Sequence, residues 1–219
     1  MVLLVGINAK YIHTTLAVRS LQANAGKYRK DVEIAEYTIN HRREEIFQDI
    51  YRRKPEILVF SCYIWNIDMV IRLAEEFHKI CPDVPVWAGG PEVSFETERF
   101  LTEHPFFTGV MMGEGERTFF RLCQMYGNLQ RNGGNVQELL SELDGISFRR
   151  ADGTAAVQPL QELLPMDELP FCYEHLDNFR NRIIYYESSR GCPFRCSYCL
   201  SSVDKTLRFR SLPLVFREL

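Results

Sequence analysis

The sequence predicts an α/β protein organised on a doubly wound, five-stranded parallel sheet, and three observations carry that expectation. Strand-like and helix-like segments alternate from residue 1 to about residue 130 with short loops between them, the pattern of consecutive βα units. The third strand candidate, Ile57-Leu58-Val59-Phe60, is apolar throughout, as a parallel strand covered on both faces requires. Two turns, Gly89-Gly90-Pro91 and Gly113-Glu114-Gly115-Glu116, stand where the fourth and fifth strands should hand over to helices.

Taken in order, residues 2–6 form the first buried strand candidate. Thr14 or Thr15 can cap a helix that carries Ala17, Leu21 and Ala25 on one side. Residues 32–37 alternate in part and read as the second strand. Asn40 precedes a helix with Ile46, Phe47, Ile50 and Tyr51 at helical spacing, which Pro55 ends. After the third strand, Asn66 caps a helix with Ile67, Val70, Ile71, Ala74 and Phe77 facing inward, and Pro82 stops it. Residues 84–88 are the fourth strand, 92–103 the next helix and 109–112 the fifth strand. The last helix of the series carries Phe119, Leu122, Cys123 and Tyr126 and is expected to end at Gly127.

Five such units favour the flavodoxin-like, or broadly Rossmann-like, strand order 2-1-3-4-5, with ligands bound beyond the carboxyl ends of the strands. The informative loops, 7–13, 61–66, 89–91 and 113–116, all fall at that edge. Residues 131–182 read as a connector, in which Ala151-Asp152-Gly153-Thr154 turns a β-hairpin between 146–149 and 155–158. Residues 163–170, with two prolines, should run extended. Residues 183–219 open with Ile183-Ile184-Tyr185-Tyr186-Glu187, a β-branched and aromatic run expected to be a buried strand.

Composition narrows the class. The chain has 219 residues, a hydrophobic fraction of 46% and a net charge of −3, as ordinary globular domains do. The balance gives no support for nucleic-acid binding, and no apolar run approaches the roughly 18 residues of a membrane span. The amino terminus lacks the basic region of a signal peptide. Cys62, Cys81, Cys123 and Cys172 are scattered with no disulfide-like framework, so a reducing cytoplasm is the expected compartment.

The strongest chemical signal is Arg190-Gly191-Cys192-Pro193-Phe194-Arg195-Cys196-Ser197-Tyr198-Cys199, a C-x3-C-x2-C spacing on one loop. Three thiolates there can converge on one soft metal centre. Zinc would need a fourth ligand, and His175 is the nearest upstream histidine. The motif resembles that of the radical S-adenosylmethionine (SAM) enzymes. That resemblance implies a 4Fe–4S cluster on Cys192, Cys196 and Cys199, with SAM on the open iron and Tyr198 beside its adenine. It also implies reductive cleavage of SAM to a 5′-deoxyadenosyl radical, an electron donor such as flavodoxin or ferredoxin, and a barrel that this chain would only begin. The sequence is therefore expected to be the N-terminal part of a longer enzyme and to be inactive by itself.

The doubly wound domain ahead of this loop is similar to the cobalamin-binding module of one radical SAM class. The resemblance places Ser61 and Tyr63 at the nucleotide tail of cobalamin, with Gly89 and Gly90 where backbone must approach the ligand. It aligns Gly113 and Glu114 with the Gly-Glu-Gly-Glu turn of that class. In the first loop, Tyr11-Ile12-His13-Thr14-Thr15-Leu16 keeps only the histidine of Asp-x-His-x-x-Gly. His13 is a candidate cobalt ligand without the expected acidic partner, and Leu16 stands where glycine would admit close approach. Cobalamin without a protein lower ligand is the favoured expectation. Two other readings stay open: a radical SAM enzyme whose first domain is a docking module without cobalamin, and a non-enzymatic binding protein with a structural metal on the cysteine loop.

Overall fold

The computed structural model describes residues 1–194, 196–202 and 206–219. Strands β1 (Val2–Asn8), β2 (Val32–Thr38), β3 (Ile57–Ser61), β4 (Val86–Gly89) and β5 (Gly109–Met111) are parallel and lie in the order 2-1-3-4-5. All seven residues of β1 and all five of β3 are buried, so their unbroken apolar runs mark the centre of the sheet.

The alternation of side chains splits the core in two. Leu3, Val5 and Phe60 point to the face covered by α2 (Arg43–Arg53), α3 (Ile67–Ile80) and α4 (Thr97–Glu103). Val2, Leu4, Val59 and Trp87 point to the opposite face, under α1 (Leu16–Asn24) and α5 (Gly115–Asn132). The indole of Trp87 is fully buried there and donates to the Tyr126 hydroxyl at 3.1 Å, which satisfies both polar groups.

The sheet does not stop at five strands. The expected hairpin forms β6 (Ile146–Arg149) and β7 (Ala155–Val157), and β6 pairs antiparallel with β5, so the sheet has seven strands. Its turn is the one expected, with Gly153 at φ +86° and Asp152 Oδ1 accepting from the Thr154 amide at 2.9 Å. A second element inside the expected connector is α6 (Val136–Ser141), capped by Asn135, whose side chain accepts from the Gln137 amide at 3.0 Å. Residues 163–170 contain a single 3₁₀ turn at Met166–Glu168.

Three further expectations need correction. Helix α5 runs past Gly127 to Asn132, and Gly133, at φ +68°, is the glycine that ends it. Gly127 instead admits the Tyr28 ring against the helix. Residues 92–96 form a turn, so α4 begins only at Thr97. The run 183–187 is not a buried strand. Ile183 makes a single parallel bridge to His13, and Ile183, Ile184 and Tyr185 are each about 40% exposed. A buried strand needs ladder partners on both sides, and this run has none beyond that bridge among the described residues.

Strands β8 (Ser189–Arg190) and β9 (Arg208–Phe209) form a separate antiparallel pair, and α7 (Leu212–Glu218) follows. Buried Arg210 ties this end of the chain to the connector. Its guanidinium donates to the carbonyls of Met166 and Leu169 and pairs with Glu218 at 2.9 Å. Among the described residues no helix is long and apolar enough to cross a membrane.

Candidate ligand cavity at the carboxyl edge of the sheet

The carboxyl ends of β3, β4 and β5 and the amino-terminal half of α1 enclose a cavity of about 380 Å³. That lies within the range of roughly 300–1,000 Å³ typical of small-molecule sites. Ser61, Tyr63, Gly89, Gly90, Gly113 and Glu114, six of the seven residues that the resemblance assigns to cobalamin, line it.

The close approach of the loops has a local cause. Cys62 donates its amide to the Gly89 carbonyl at 2.7 Å, drawing the β4 turn against the end of β3. Gly90 follows at φ +111°, and a Cβ there would stand 2.5 Å from the Cys62 carbonyl oxygen. Only glycine fits this position. Asn66, fully buried at the start of α3, locks the same loop. Its side chain donates to the carbonyls of Ile7 and Ser61 at 3.0 and 2.9 Å and accepts from the Tyr63 amide at 2.8 Å. It thus ties β1 to β3 and, contrary to the sequence expectation, does not cap α3 by its side chain.

Sequence reasoning passed over Trp65. Its ring stacks on Tyr63 at 4.5 Å and 5°, and its Nε1 donates to the Ile7 carbonyl at 3.1 Å. The signal was present, since Trp65 is one of two tryptophans and sits in a strand-end loop. The stack holds Tyr63 in place at the cavity. Burial pushes the Tyr63 phenol upward, and the nearby Ser61 hydroxyl partly offsets that. Ser61 Oγ itself is buried without a hydrogen bond of good geometry, a polar group that a ligand in the cavity can satisfy.

The acidic side chains of the wall are engaged by arginines. Glu114 lines the cavity, but its carboxylate is engaged by Arg190 at 3.2 Å and by Arg208. Glu116, almost fully buried, accepts from Arg190 at 2.6 Å and from the Ser20 hydroxyl at 2.8 Å. Burial alone would raise the Glu116 carboxyl. The Arg190 guanidinium and Ser20 outweigh it and hold the group below the usual carboxylate range. Burial lowers Arg190, but Glu116, Glu187 and Glu114 raise it further, so it stays charged.

His13 does not line the cavity. Its Nδ1 is hydrogen-bonded to the Tyr185 hydroxyl, its ring stacks on Tyr185 at 5.9 Å, and its backbone bridges to Ile183. The imidazole therefore serves the contact between the first loop and residues 183–185. Leu16 lines the cavity from α1.

The three loop cysteines are half-buried, and a turn links the Cys199 amide to the Cys196 carbonyl at 3.1 Å. Among the described residues no group of three or more His, Cys, Asp or Glu is gathered as a metal site. Tyr198 is 91% exposed and touches no part of the cavity. Arg195 lies outside the described residues. Of the scattered thiols, Cys62 and Cys123 are buried and pushed up to about 12, while Cys81 and Cys172 are only half-buried.

A parallel sheet in this order, with a cavity at its carboxyl edge, defines a doubly wound ligand-binding domain. Comparison with known proteins gives its family. The B12 binding domain family matches residues 2–122, more than half of the chain, and the chain belongs to it. It is 31% identical over 158 residues to the cobalamin-dependent radical SAM methyltransferase TokK of Streptomyces tokunonensis, covering 67% of this chain and 22% of that protein. It is 32% identical over 184 residues to an uncharacterized methyltransferase of Pyrococcus horikoshii, covering 80% of this chain and 38% of the relative. Among solved structures it resembles the cobalamin-dependent S-adenosylmethionine radical enzyme OxsB, with a TM-score of 0.74 and 18% identity. That likeness covers 99% of this chain and 30% of OxsB and concerns the fold. The chain thus spans between 22% and 38% of the length of these curated relatives.

Proposed function

We propose that this chain is the cobalamin-holding part of a radical SAM methyltransferase, together with the loop that carries its iron–sulfur cluster. The observation that carries the reading is the coincidence of the B12 binding family with a strand-edge cavity whose wall holds an unpaired buried hydroxyl, Ser61 Oγ. Methyltransferases among the relatives favour methyl transfer over other radical chemistry.

Within this reading each group of residues has a task. Gly89 and Gly90 let backbone reach the ligand, Ser61 and Tyr63 meet its polar tail, and the Tyr63–Trp65 stack keeps that wall rigid. His13 stands off the cavity, with its Nδ1 on the Tyr185 hydroxyl, so this reading gives cobalt no imidazole from His13. Cobalamin, when bound, supplies a transferable methyl group. Cys192, Cys196 and Cys199 are the proposed cluster ligands, and Tyr198 the proposed neighbour of SAM. An electron donor of the flavodoxin or ferredoxin kind and a reducing cytoplasm suit that chemistry.

Anaerobic reconstitution with ferrous iron and sulfide tests the cluster assignment. The expected result is about four irons per chain with a brown chromophore, lost when Cys192, Cys196 or Cys199 is changed to alanine. One zinc and no iron bound by the same thiols would instead support a structural metal site.

A further inference from the structure

The acidic stretch from the end of β5 into the first turn of α5 does more than border the cavity. Its two carboxylates face two arginines that stand opposite each other in the β8–β9 ladder, Arg190 against Arg208. Like charges directly opposite in a ladder oppose pairing. Glu114 lies between them, with Oε2 at 3.2 Å from Arg190 Nη1 and 3.3 Å from Arg208 Nη1. Glu116 takes Arg190 Nη2 at 2.6 Å and Glu187 takes the same nitrogen at 2.8 Å.

These two strands bracket residues 191–207, the segment that contains Cys192, Cys196 and Cys199. They form its neck. Gly191, at φ +90°, lies so close to the returning chain that a Cβ would stand 2.2 Å from the Thr206 carbonyl oxygen. The neck is thus closed by backbone, with Arg190 one residue before that glycine and two before the first thiol.

We propose that Glu114 and Glu116 are positioning residues that fasten the neck of the cysteine loop to the carboxyl edge of the sheet, which sets where the loop's thiols stand beside the cavity. Exposed ion pairs contribute little, but the side chains of Arg190 and Glu116 are only 15% and 6% exposed. At that burial, removing one partner strands the other. Acids at the amino terminus of α5 would suit the helix dipole without any arginine. Such a role leaves the arginine pairing unexplained and predicts no effect on the loop.

Hydrogen exchange of the apo chain, read by mass spectrometry, tests the proposal. Glu116→Gln keeps the size of the side chain and removes its charge. Amides at 186–191 and 206–210 should exchange at least tenfold faster, while those of β1 and β3 stay as in the wild type. Alkylation of Cys192, Cys196 and Cys199 should rise, with buried Cys62 and Cys123 unchanged. Glu116→Asp, which retains a carboxylate, should restore protection in part. Unchanged exchange in both Glu116→Gln and Glu114→Gln would overturn the proposal. So would equal acceleration in β1 and β3, which would mark a general loss of stability. No cobalamin is present in this experiment, so failure of the cofactor reading would leave its outcome intact.

Discussion

Ala17→Trp is expected to abolish retention of hydroxocobalamin while the chain stays folded. Ala17 sits on α1, half-buried, with its side chain on the wall of the cavity. An indole in place of the Ala17 methyl group would project its whole bicyclic ring into a cavity of only about 380 Å³. Its cost to the helix is small, since tryptophan is less favourable than alanine by no more than about 0.7 kcal/mol. Affinity should therefore fall at least about 100-fold, or about 2.8 kcal/mol, with loss of stability below about 1 kcal/mol. Equilibrium dialysis beside thermal unfolding separates the two quantities. Undiminished affinity in the variant would mean that the ligand sits elsewhere on the sheet edge.

The second large effect is expected from Arg190→Ala, which should reverse the pH dependence that Glu116 gives to stability. In the wild type the Glu116 carboxyl is held below its unfolded value. Its contribution is fully present above the unfolded pKa and is lost as pH falls through the lowered folded value. Without the guanidinium, Glu116 keeps its burial and the Ser20 hydroxyl, with Glu114 and Glu187 close by as further acids. Desolvation and like charge then raise its folded pKa above the unfolded one. Stability from this group should be greatest below about pH 4.5 and should fall as pH rises towards 7. Stranding a buried charge costs about 3–5 kcal/mol. Urea unfolding at pH 5 and pH 7 reads the sign: the variant should be the less stable at pH 7, and the wild type should show no such loss.

How much of this was legible in the sequence follows from what each element depends on. The order of β1 to β5 was, because residues 57–60 and the strands beside them carry the apolar runs that a doubly covered sheet requires. The hairpin was legible as a hairpin from Asp152-Gly153, but its docking on β5 was not, since edge pairing is decided by tertiary contact. Gly127 misled for a related reason. A glycine in a helical pattern can end the helix or admit a ring, and only the position of Tyr28 decides.

At the site, the strand-end loops were found because close backbone approach demands small residues, as at Gly90. Partners distant in sequence were not. Nothing local announces that Arg190 will meet Glu114 and Glu116, 76 and 74 residues earlier. The engagement of His13 by Tyr185 was hidden in the same way. The run 183–187 has strand composition, yet composition supplies no ladder partner.

The most direct measurement incubates the 219-residue chain with hydroxocobalamin, removes the free ligand and records the visible spectrum beside that of His13→Ala. Retained cobalamin with the same spectrum in both proteins is the predicted result, because His13 lies off the cavity and is bound to Tyr185. A spectrum altered by the His13 substitution would contradict the account by placing an imidazole on cobalt. Failure of the wild-type chain to retain cobalamin would contradict it at its centre, and would leave the strand-edge domain as a docking module for other chemistry.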